Sequence, residues 1–304
     1  MSIVMQENEL KDNNLRGKLE RGVSLARFTS WKVGGAAEIL FQPEGLADLQ
    51  KYMKTLDTSV PVTWLGRGTN VLVRDGGVKG VVIVMKGCIN NLEKIESNLI
   101  CAELGVSCAK LARFSAENDL VGAEFLAGIP GTIGGALAMN SGAYGSETWN
   151  HVLEVETIDR NGELHIRSPS EFEIGYRSVK KPSEEWFIAA TFKFASGDGQ
   201  QARQKIRELL DQRNISQPVG SKSCGSVFRN PENDYAARLI ESCDLKGKTI
   251  GGAQISTKHA NFILNLGDAT AADIESLILN VRSTIEREHG VSLIPEVRII
   301  GEAA

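Results

Sequence analysis

The chain has 304 residues, of which 42% are hydrophobic and 24% are charged, and its formal net charge is −4 at pH 7. This acidic balance argues against broad nucleic-acid binding, which needs a basic face that displaces counterions from phosphates. The first residues are charged and no apolar run approaches the roughly 20 residues that span a bilayer, so we expect a soluble cytoplasmic protein with a small-molecule partner.

The first half of the chain is predicted to alternate helices and strands. Apolar residues recur at helical spacing over residues 46–57, and a short strand is predicted over residues 60–65. Two further strands are predicted over residues 71–73 and 80–87, each after a turn that contains glycine. With a second helix expected over residues 106–119, this rhythm is typical of an α/β fold.

The middle of the chain predicts a hairpin followed by a strand and a helix. Apolar and polar residues alternate over residues 151–168 around the turn Arg160-Asn161-Gly162, which favours two antiparallel strands. Another strand is expected over residues 186–197. A helix over residues 201–213 then carries the chain out of this half.

The composition of the sequence changes near Ser216, where a polar, loop-like stretch begins. A short helix is expected at residues 235–243 and a strand at residues 260–266. Thr270 and Asp273 fit a capping box, in which each side chain meets an unpaired backbone donor at the start of a helix. The final stretch, VSLIPEVRIIG, is predicted to form a strand that packs against the first half.

Residues 127–145, AGIPGTIGGALAMNSGAYG, contain six glycines and neither a charged side chain nor a histidine. Ordering a glycine costs about 0.5–1 kcal/mol relative to alanine, so this run needs a compensating reason. Tight turns, close packing and the approach of backbone N–H groups to an anionic ligand all remain open. A second glycine-containing turn over residues 66–70 also follows a predicted strand, and two amide-rich loops would suit one large diphosphate ligand.

Common signatures of other sites are missing from the sequence. Neither Gly-x-Gly-x-x-Gly at the start of a helix nor Gly-x-x-x-x-Gly-Lys-[Ser/Thr] occurs. The five cysteines lack Cys-x-x-Cys spacing and the four histidines fall singly, so we expect neither a disulfide framework nor a metal site. The residues alone therefore predict an α/β protein with a nucleotide site.

Seven segments, in order along nearly the whole chain, resemble the UDP-N-acetylenolpyruvoylglucosamine reductase family of bacterial peptidoglycan synthesis. They are SWKVGG, GRGTNVLV, AGIPGTIGGALAMNSGAYG, GYRS, SCGSVFRNP, KHANFILN and PEVRIIG. The glycine-rich loops resemble FAD proteins with the vanillyl-alcohol-oxidase-like (PCMH-type) fold in general, whereas GYRS, SCGSVF and PEVR single out the reductase. The chain is similar to the shorter subtype, which lacks a tyrosine-bearing insertion.

The resemblance implies a mixed α/β or α+β fold with a two-lobed FAD-binding domain and a smaller α+β substrate domain. Five segments are then expected: an N-terminal segment, FAD-binding lobes 1 and 2, the substrate-binding domain and a C-terminal strand near the FAD site. Their limits are residues 1–22, 23–90, 91–214, 215–292 and 293–304. We expect a monomer or a weak homo-oligomer that binds neither nucleic acid nor membrane.

The resemblance also implies a reaction in two halves. NADPH reduces FAD and NADP leaves, and the flavin then passes hydride to UDP-N-acetylglucosamine enolpyruvate to give UDP-N-acetylmuramate. Hydride adds to the terminal vinyl carbon, so negative charge develops on the neighbouring carbon and is shared with the substrate carboxylate. The site therefore needs a cation for that carboxylate, a group that stabilises the developing charge, and an acid.

Three residues match the catalytic positions that the resemblance implies: Arg177 in GYRS, Ser226 in SCGS and Glu296 in PEVR. Arg177 is expected to hold the substrate carboxylate and stabilise charge, and Ser226 to donate the proton. Glu296 is expected to polarise the intermediate or assist the proton transfer. Without the resemblance, a surface arginine, a loop-capping serine and a glutamate paired with Arg298 are the plain alternatives.

The same resemblance assigns binding residues. FAD is expected to contact Gly66, Arg67, Gly68, Thr69, Asn70, Gly128, Ile129, Pro130, Gly131, Thr132, Gly134, Gly135, Arg213 and Arg298. The UDP-sugar is expected to contact Asn230, Gln254, Lys258 and His259.

Two rival functions stay open at this point. One is another FAD oxidoreductase of the same fold, such as an oxidase of an alcohol or lactone. The other is a nucleotide-sugar-binding protein without redox chemistry, or a hydrolase that uses Ser226 with His259. The absence of Gly-x-Ser-x-Gly and of a familiar triad order disfavours the hydrolase.

Overall fold

The structure is a computed structural model that describes residues 15–85 and 87–304. Most of the predicted N-terminal segment, up to residue 14, lies outside the described residues, as does one position of the predicted strand over residues 80–87. Of the helices in the described ranges, none combines the length and the apolar content that crossing a membrane requires.

The first packed unit is a four-stranded sheet with one helix and a further short strand, Val71–Val73, outside that sheet. Its elements are β1 (Lys18–Ser24), β2 (Ala36–Gln42), α1 (Leu46–Thr55), β3 (Val62–Leu65), β4 (Val71–Val73) and β5 (Val78–Val84). The sheet order is β1-β2-β5-β3, and β5 runs parallel to both of its neighbours. A strand enclosed in this way is apolar along its length, which is why the run Val81 to Val84 is fully buried. Helix α1 buries Leu49, Tyr52 and Met53, which confirms the predicted helix.

The second unit is a five-stranded antiparallel sheet flanked by helices. Its elements are β6 (Leu92–Glu96), β7 (Leu99–Glu103), α2 (Cys108–Glu117), β8 (Leu120–Val121), α3 (Ile133–Met139), β9 (Gly142–Ala143), β10 (Ser146–Glu147), β11 (Val152–Asp159), β12 (Leu164–Arg167), β13 (Glu173–Gly175), β14 (Ser178–Lys180), β15 (Glu185–Lys193), β16 (Ala195–Ser196) and α4 (Gly199–Ser216). The sheet order is β12-β11-β15-β7-β6. The predicted hairpin is confirmed, because β11 and β12 pair antiparallel and Gly162 in their turn has φ +75°.

The glycine-rich run folds into more regular structure than its composition indicates. It begins at the end of the 3₁₀ turn Glu124–Gly128, contains helix α3, and ends with β9 and the turn that leads to β10. Helix α3 buries Ile133, Ala136 and Leu137 in the core of the second unit. Gly134 allows close packing, since a Cβ there would lie 3.0 Å from the Cβ of Leu104, tighter than an ordinary van der Waals contact. Close packing therefore accounts for part of the glycine content.

The third unit packs one long helix against a small sheet. Its elements are α5 (Ala236–Ser242), β17 (Thr249–Ile250), β18 (Ala253–Ile255), β19 (Ile263–Asn265), α6 (Ala271–His289) and β20 (Arg298–Ile300). The predicted capping box is confirmed, because the Thr270 hydroxyl accepts from the Asp273 backbone and the Asp273 carboxylate accepts from the Thr270 backbone. Strand β20 leaves this unit and pairs in parallel with β4, as the prediction for the final stretch required.

Specific contacts join the first unit to the third. Trp31 is completely buried in the core of the third unit, and its Nε1 donates to the carbonyl of Ile263 at 2.7 Å. Arg74 donates to both carboxylate oxygens of Glu275, at 2.9 and 2.7 Å. The Asp75 carboxylate accepts from the first two backbone N–H groups of α6. These contacts join the first and third units along a continuous interface. The segment limits at residues 22, 90, 214 and 292 remain predictions.

We predict that Asp75→Ala destabilises the fold by about 1–2 kcal/mol. The substitution removes the carboxylate that accepts from the first two backbone N–H groups of the 19-residue helix α6. Urea unfolding followed by circular dichroism measures the loss. The matched control is Asp211→Ala, which removes an exposed aspartate on α4. Equal unfolding midpoints for the two variants would contradict the role assigned to Asp75.

Candidate active site

A cavity of about 740 Å³ lies where the three units meet. This volume falls within the roughly 300–1,000 Å³ that is typical of ligand sites. Its walls come from the turn at residues 66–70, the glycine-rich run, the tip of the β13–β14 hairpin, the end of α4, the loop at residues 224–230 and the residues before β20. The cavity thus collects segments that are far apart in the sequence.

The two glycine-containing loops contact each other at the wall of this cavity. Gly68 has φ +58°, and a Cβ there would clash with the backbone of Phe28. At Gly131, with φ +123°, a Cβ would lie 2.9 Å from Thr69 Oγ1, which itself donates to the carbonyl of Pro130. Gly135 differs, because it lines the cavity and no atom lies within 4 Å of the place a Cβ would take. The glycines thus serve turns, close packing and open ligand space at different positions.

The charge of the cavity is opposite to that of the chain. Among the described residues that line it, the charged ones are Arg67, Arg177, Arg213, Arg298 and Glu296. Four arginines against one glutamate give a positive lining in a chain whose formal net charge is −4. Such a lining, beside backbone amides that no side chain covers, fits the diphosphate of FAD and an anionic substrate.

Arg177 lies at the tip of the β13–β14 hairpin, in a two-residue turn between Gly175 and Ser178. Its Nε donates to Glu296 Oε1 at 3.0 Å, and both side chains are less than one-fifth exposed. Its Nη1 and Nη2 donate to the carbonyls of Asn140 and Gly142, at 3.3 and 2.7 Å. Arg177 is therefore not a solvated surface arginine, and Glu296 pairs with it rather than with Arg298.

The environment of Glu296 shifts its acidity. Burial raises the pKa of Glu296, and the positive charges of Arg177 and Arg229 offset only part of this effect. A carboxyl group with a raised pKa takes up a proton more readily than an exposed glutamate. Such a group suits a site where a proton must be transferred.

The loop that carries Ser226 is fixed on both sides. The backbone N–H of Val227 donates to the carbonyl of Asn261, and the side chain of Asn261 makes hydrogen bonds with both the N–H and the carbonyl of Phe228. On the other side, the N–H of Glu296 donates to the carbonyl of Val227 at 2.8 Å. These hydrogen bonds place Ser226 and Glu296 on the wall of one cavity, which Arg177 lines as well.

The remaining predicted residues divide into two groups. Gly66 to Asn70, Gly128 to Thr132, Gly135, Arg213, Arg298 and Asn230 line the cavity. Gly134 packs against Leu104 instead, and three predicted substrate residues make other contacts. Gln254 donates to the carbonyl of Gly247, Lys258 donates to the carbonyl of Asn214, and the ring of His259 packs edge-on against Phe262.

Tyr144 and Asn261 are among the cavity residues that the sequence analysis did not assign. Tyr144 has φ +53°, covers Gly128 with its ring and donates its hydroxyl to the carbonyl of Leu209. Asn261 is buried and holds the Ser226 loop. Both lie in segments that carry the family resemblance, but neither a positive φ at a tyrosine nor a long-range backbone contact leaves a local sequence pattern.

The thiol of Cys224 also lies at this cavity, and it is buried. It contacts the carbonyl oxygens of Gly68 and Val71, each at 3.5 Å, and burial raises its pKa to about 12. Within residues 15–85 and 87–304, no group of three or more histidine, cysteine, aspartate or glutamate side chains could hold a metal ion.

Comparison with known proteins gives matches over both halves of the chain. Residues 37–167 match the FAD binding domain family, and residues 217–300 match the C-terminal domain of UDP-N-acetylenolpyruvoylglucosamine reductase. The reductase of Methylococcus capsulatus is 56% identical over 92% of this chain and 92% of its own length. The reductase of Alkalilimnicola ehrlichii is 52% identical over 94% and 96%.

A solved structure agrees with these matches. The crystal structure of the reductase from Thermus caldophilus superimposes with a TM-score of 0.79 at 30% identity, over 94% of this chain and all of that one. Together with the FAD binding domain match, this likeness confirms the predicted class of fold.

We predict that Gly135→Leu weakens FAD binding by at least roughly tenfold, because the new side chain occupies ligand space at the cavity wall. Titration of the apoprotein with FAD, followed by flavin fluorescence, measures the dissociation constant. The control is Gly45→Leu, since a side chain at Gly45 also meets no atom within 4 Å but lies at the start of α1, outside this cavity. Unchanged FAD affinity in Gly135→Leu would refute the placement of the ligand.

Proposed function

Because the chain belongs to the UDP-N-acetylenolpyruvoylglucosamine reductase family, we propose that it reduces UDP-N-acetylglucosamine enolpyruvate to UDP-N-acetylmuramate with electrons from NADPH. The chain is an FAD-dependent oxidoreductase of peptidoglycan precursor synthesis. We further propose that it works in the cytoplasm as a monomer or weak homo-oligomer. The observation that carries the proposal is the ion pair of Arg177 and Glu296 on the same cavity wall as Ser226.

The residues present fit the cofactor. The turn Gly66 to Asn70 and the segment Gly128 to Thr132 would hold the diphosphate of FAD, with Gly135 leaving space beside them. Arg213 and Arg298 would supply positive charge, which favours an anionic reduced flavin. When bound, FAD supplies the transfer of hydride from NADPH to the vinyl carbon of the substrate.

Arg177 is suited to the substrate carboxylate because most of its geometry is already fixed. A guanidinium has five N–H donors, and Glu296, Asn140 and Gly142 take three of them. One N–H remains on each of the two Nη atoms. These donors are held in place by protein acceptors, so they can stabilise developing charge with little reorganisation.

Ser226 and Glu296 would have different roles in the proton transfer. The hydroxyl of Ser226 would deliver its proton to the carbon where negative charge develops. An alcohol is a weak acid in water, so the transfer needs positive charge nearby, and Arg177 lies at the same wall. Glu296, whose pKa is raised by burial, would hydrogen-bond to the developing enolate-like oxygens or assist the return of the proton.

Following the two half-reactions separately tests this function. We expect the flavin of the wild-type protein to bleach under anaerobic NADPH and to regain its colour when UDP-N-acetylglucosamine enolpyruvate is added. In Ser226→Ala, bleaching should stay nearly intact, while reoxidation by the substrate slows by roughly 100-fold or more because the proton donor is lost. Stopped-flow absorbance measures both rates.

Other results would overturn the proposal. Equal slowing of both half-reactions in Ser226→Ala would contradict its role as proton donor. Oxygen consumption with an alcohol or lactone, without turnover of the enolpyruvyl sugar nucleotide, would identify an oxidase of the same fold. A colourless protein that cannot be reconstituted with FAD would instead support a protein that only binds nucleotide sugars.

We predict that Arg177→Lys slows reoxidation by the substrate by roughly 100-fold, because an ammonium point charge cannot replace the planar fork of donors. Bleaching by NADPH serves as the internal control and should change little. The measurement is the limiting reoxidation rate at saturating substrate. A rate equal to that of the wild type would refute the role of the guanidinium.

A further inference from the structure

The hairpin that carries Arg177 has little core of its own. Its two strands, β13 and β14, are exposed at most positions, and the tip residue Tyr176 is exposed as well. Arg177 has φ +53°, a left-handed conformation that is unfavourable for a residue with a long side chain. Such a conformation persists only where the surroundings fix it, so the contacts of this tip decide where the guanidinium lies.

One of those contacts comes from the third unit. Arg229 Nη2 donates to the backbone carbonyl of Arg177 at 3.0 Å. Arg229 is itself held, because its backbone N–H donates to the carbonyl of Ile294 and the preceding residue, Phe228, bonds to Asn261. The side chain of Arg229 therefore connects the loop that carries Ser226 to the hairpin.

Arg229 also acts on the carboxyl group of Glu296. Arg177 and Arg229 each carry one positive charge, and both act on the single carboxyl group of Glu296. The Nε of Arg229 is buried and has no hydrogen-bond partner among the described residues. The carbonyl of Arg177 accepts from Nη2, at the far end of the Arg229 side chain, so a shorter glutamine side chain at this position would not reach it.

We propose that Arg229 is a positioning residue that fixes the strained tip of the β13–β14 hairpin, so that the guanidinium of Arg177 faces the substrate carboxylate. The inference rests on the proposed function. Arg229 links the segments that carry Arg177, Ser226 and Glu296, and it does not touch the reacting atoms.

The test compares Arg229→Gln and Arg229→Lys with the matched control Arg238→Gln, which removes a surface arginine of α5 that pairs with Asp234. Arg229→Gln should lower the limiting rate of reoxidation by the substrate by roughly tenfold or more, as expected when a reacting group loses its fixed position. Bleaching by NADPH and the FAD content should match the control. Arg229→Lys keeps the charge and one donor, and should recover part of the rate.

A second measurement does not depend on turnover. Hydrogen–deuterium exchange should be faster over residues 173–180 in Arg229→Gln than in Arg238→Gln, with little difference elsewhere. Equal exchange over this hairpin, or equal slowing of both half-reactions, would overturn the proposal. If the wild-type protein fails to react with the enolpyruvyl sugar nucleotide, the proposed function falls, while the exchange data still decide whether Arg229 fixes the hairpin. If Arg229→Gln does not fold, the same comparisons are made with Arg229→Lys.

Discussion

The parallel pairing of β4 with β20 is the constraint on which the site depends. It brings the last strand of the chain beside the strand that follows the turn at residues 66–70. Asn70, the last residue of that turn, donates from its side chain to the carbonyl of Glu296 and accepts from the backbone N–H of Arg298. One short ladder thus sets the distance between the proposed cofactor loop and the carboxyl group proposed to be catalytic.

This constraint also limits which parts of the molecule can move relative to each other. The buried indole of Trp31 and the bidentate pair of Arg74 and Glu275 extend the ladder into a broad joint between the first and third units. The second unit supplies Arg177 from an exposed hairpin, and its polar contacts with the third unit are few and specific. The precision of the site therefore depends most on the contacts of that hairpin.

Much of the fold could be predicted from the sequence because local patterns carry it. The stripe of α1, the hairpin of β11 and β12 and the capping box of Thr270 and Asp273 are all readable over a few residues. Helix α3 escaped prediction because its two glycines meet tertiary requirements: Gly134 packs against Leu104, and Gly135 leaves space at the cavity wall. The same distinction applies to the site. Motifs indicated Arg177, Ser226 and Glu296, whereas the roles of Asn261 and Arg229 depend on residues far away in the chain.

The state of Cys224 has a pharmacological consequence. A sulfur at the wall of a ligand cavity is an attractive target for covalent inhibitors, but such compounds react with thiolate rather than with thiol. Burial raises the pKa of this thiol to about 12, so almost none of it is ionised at physiological pH. Electrophilic warheads that enter the cavity will find it unreactive, and compounds directed at this site must gain their affinity from the arginine-lined walls instead.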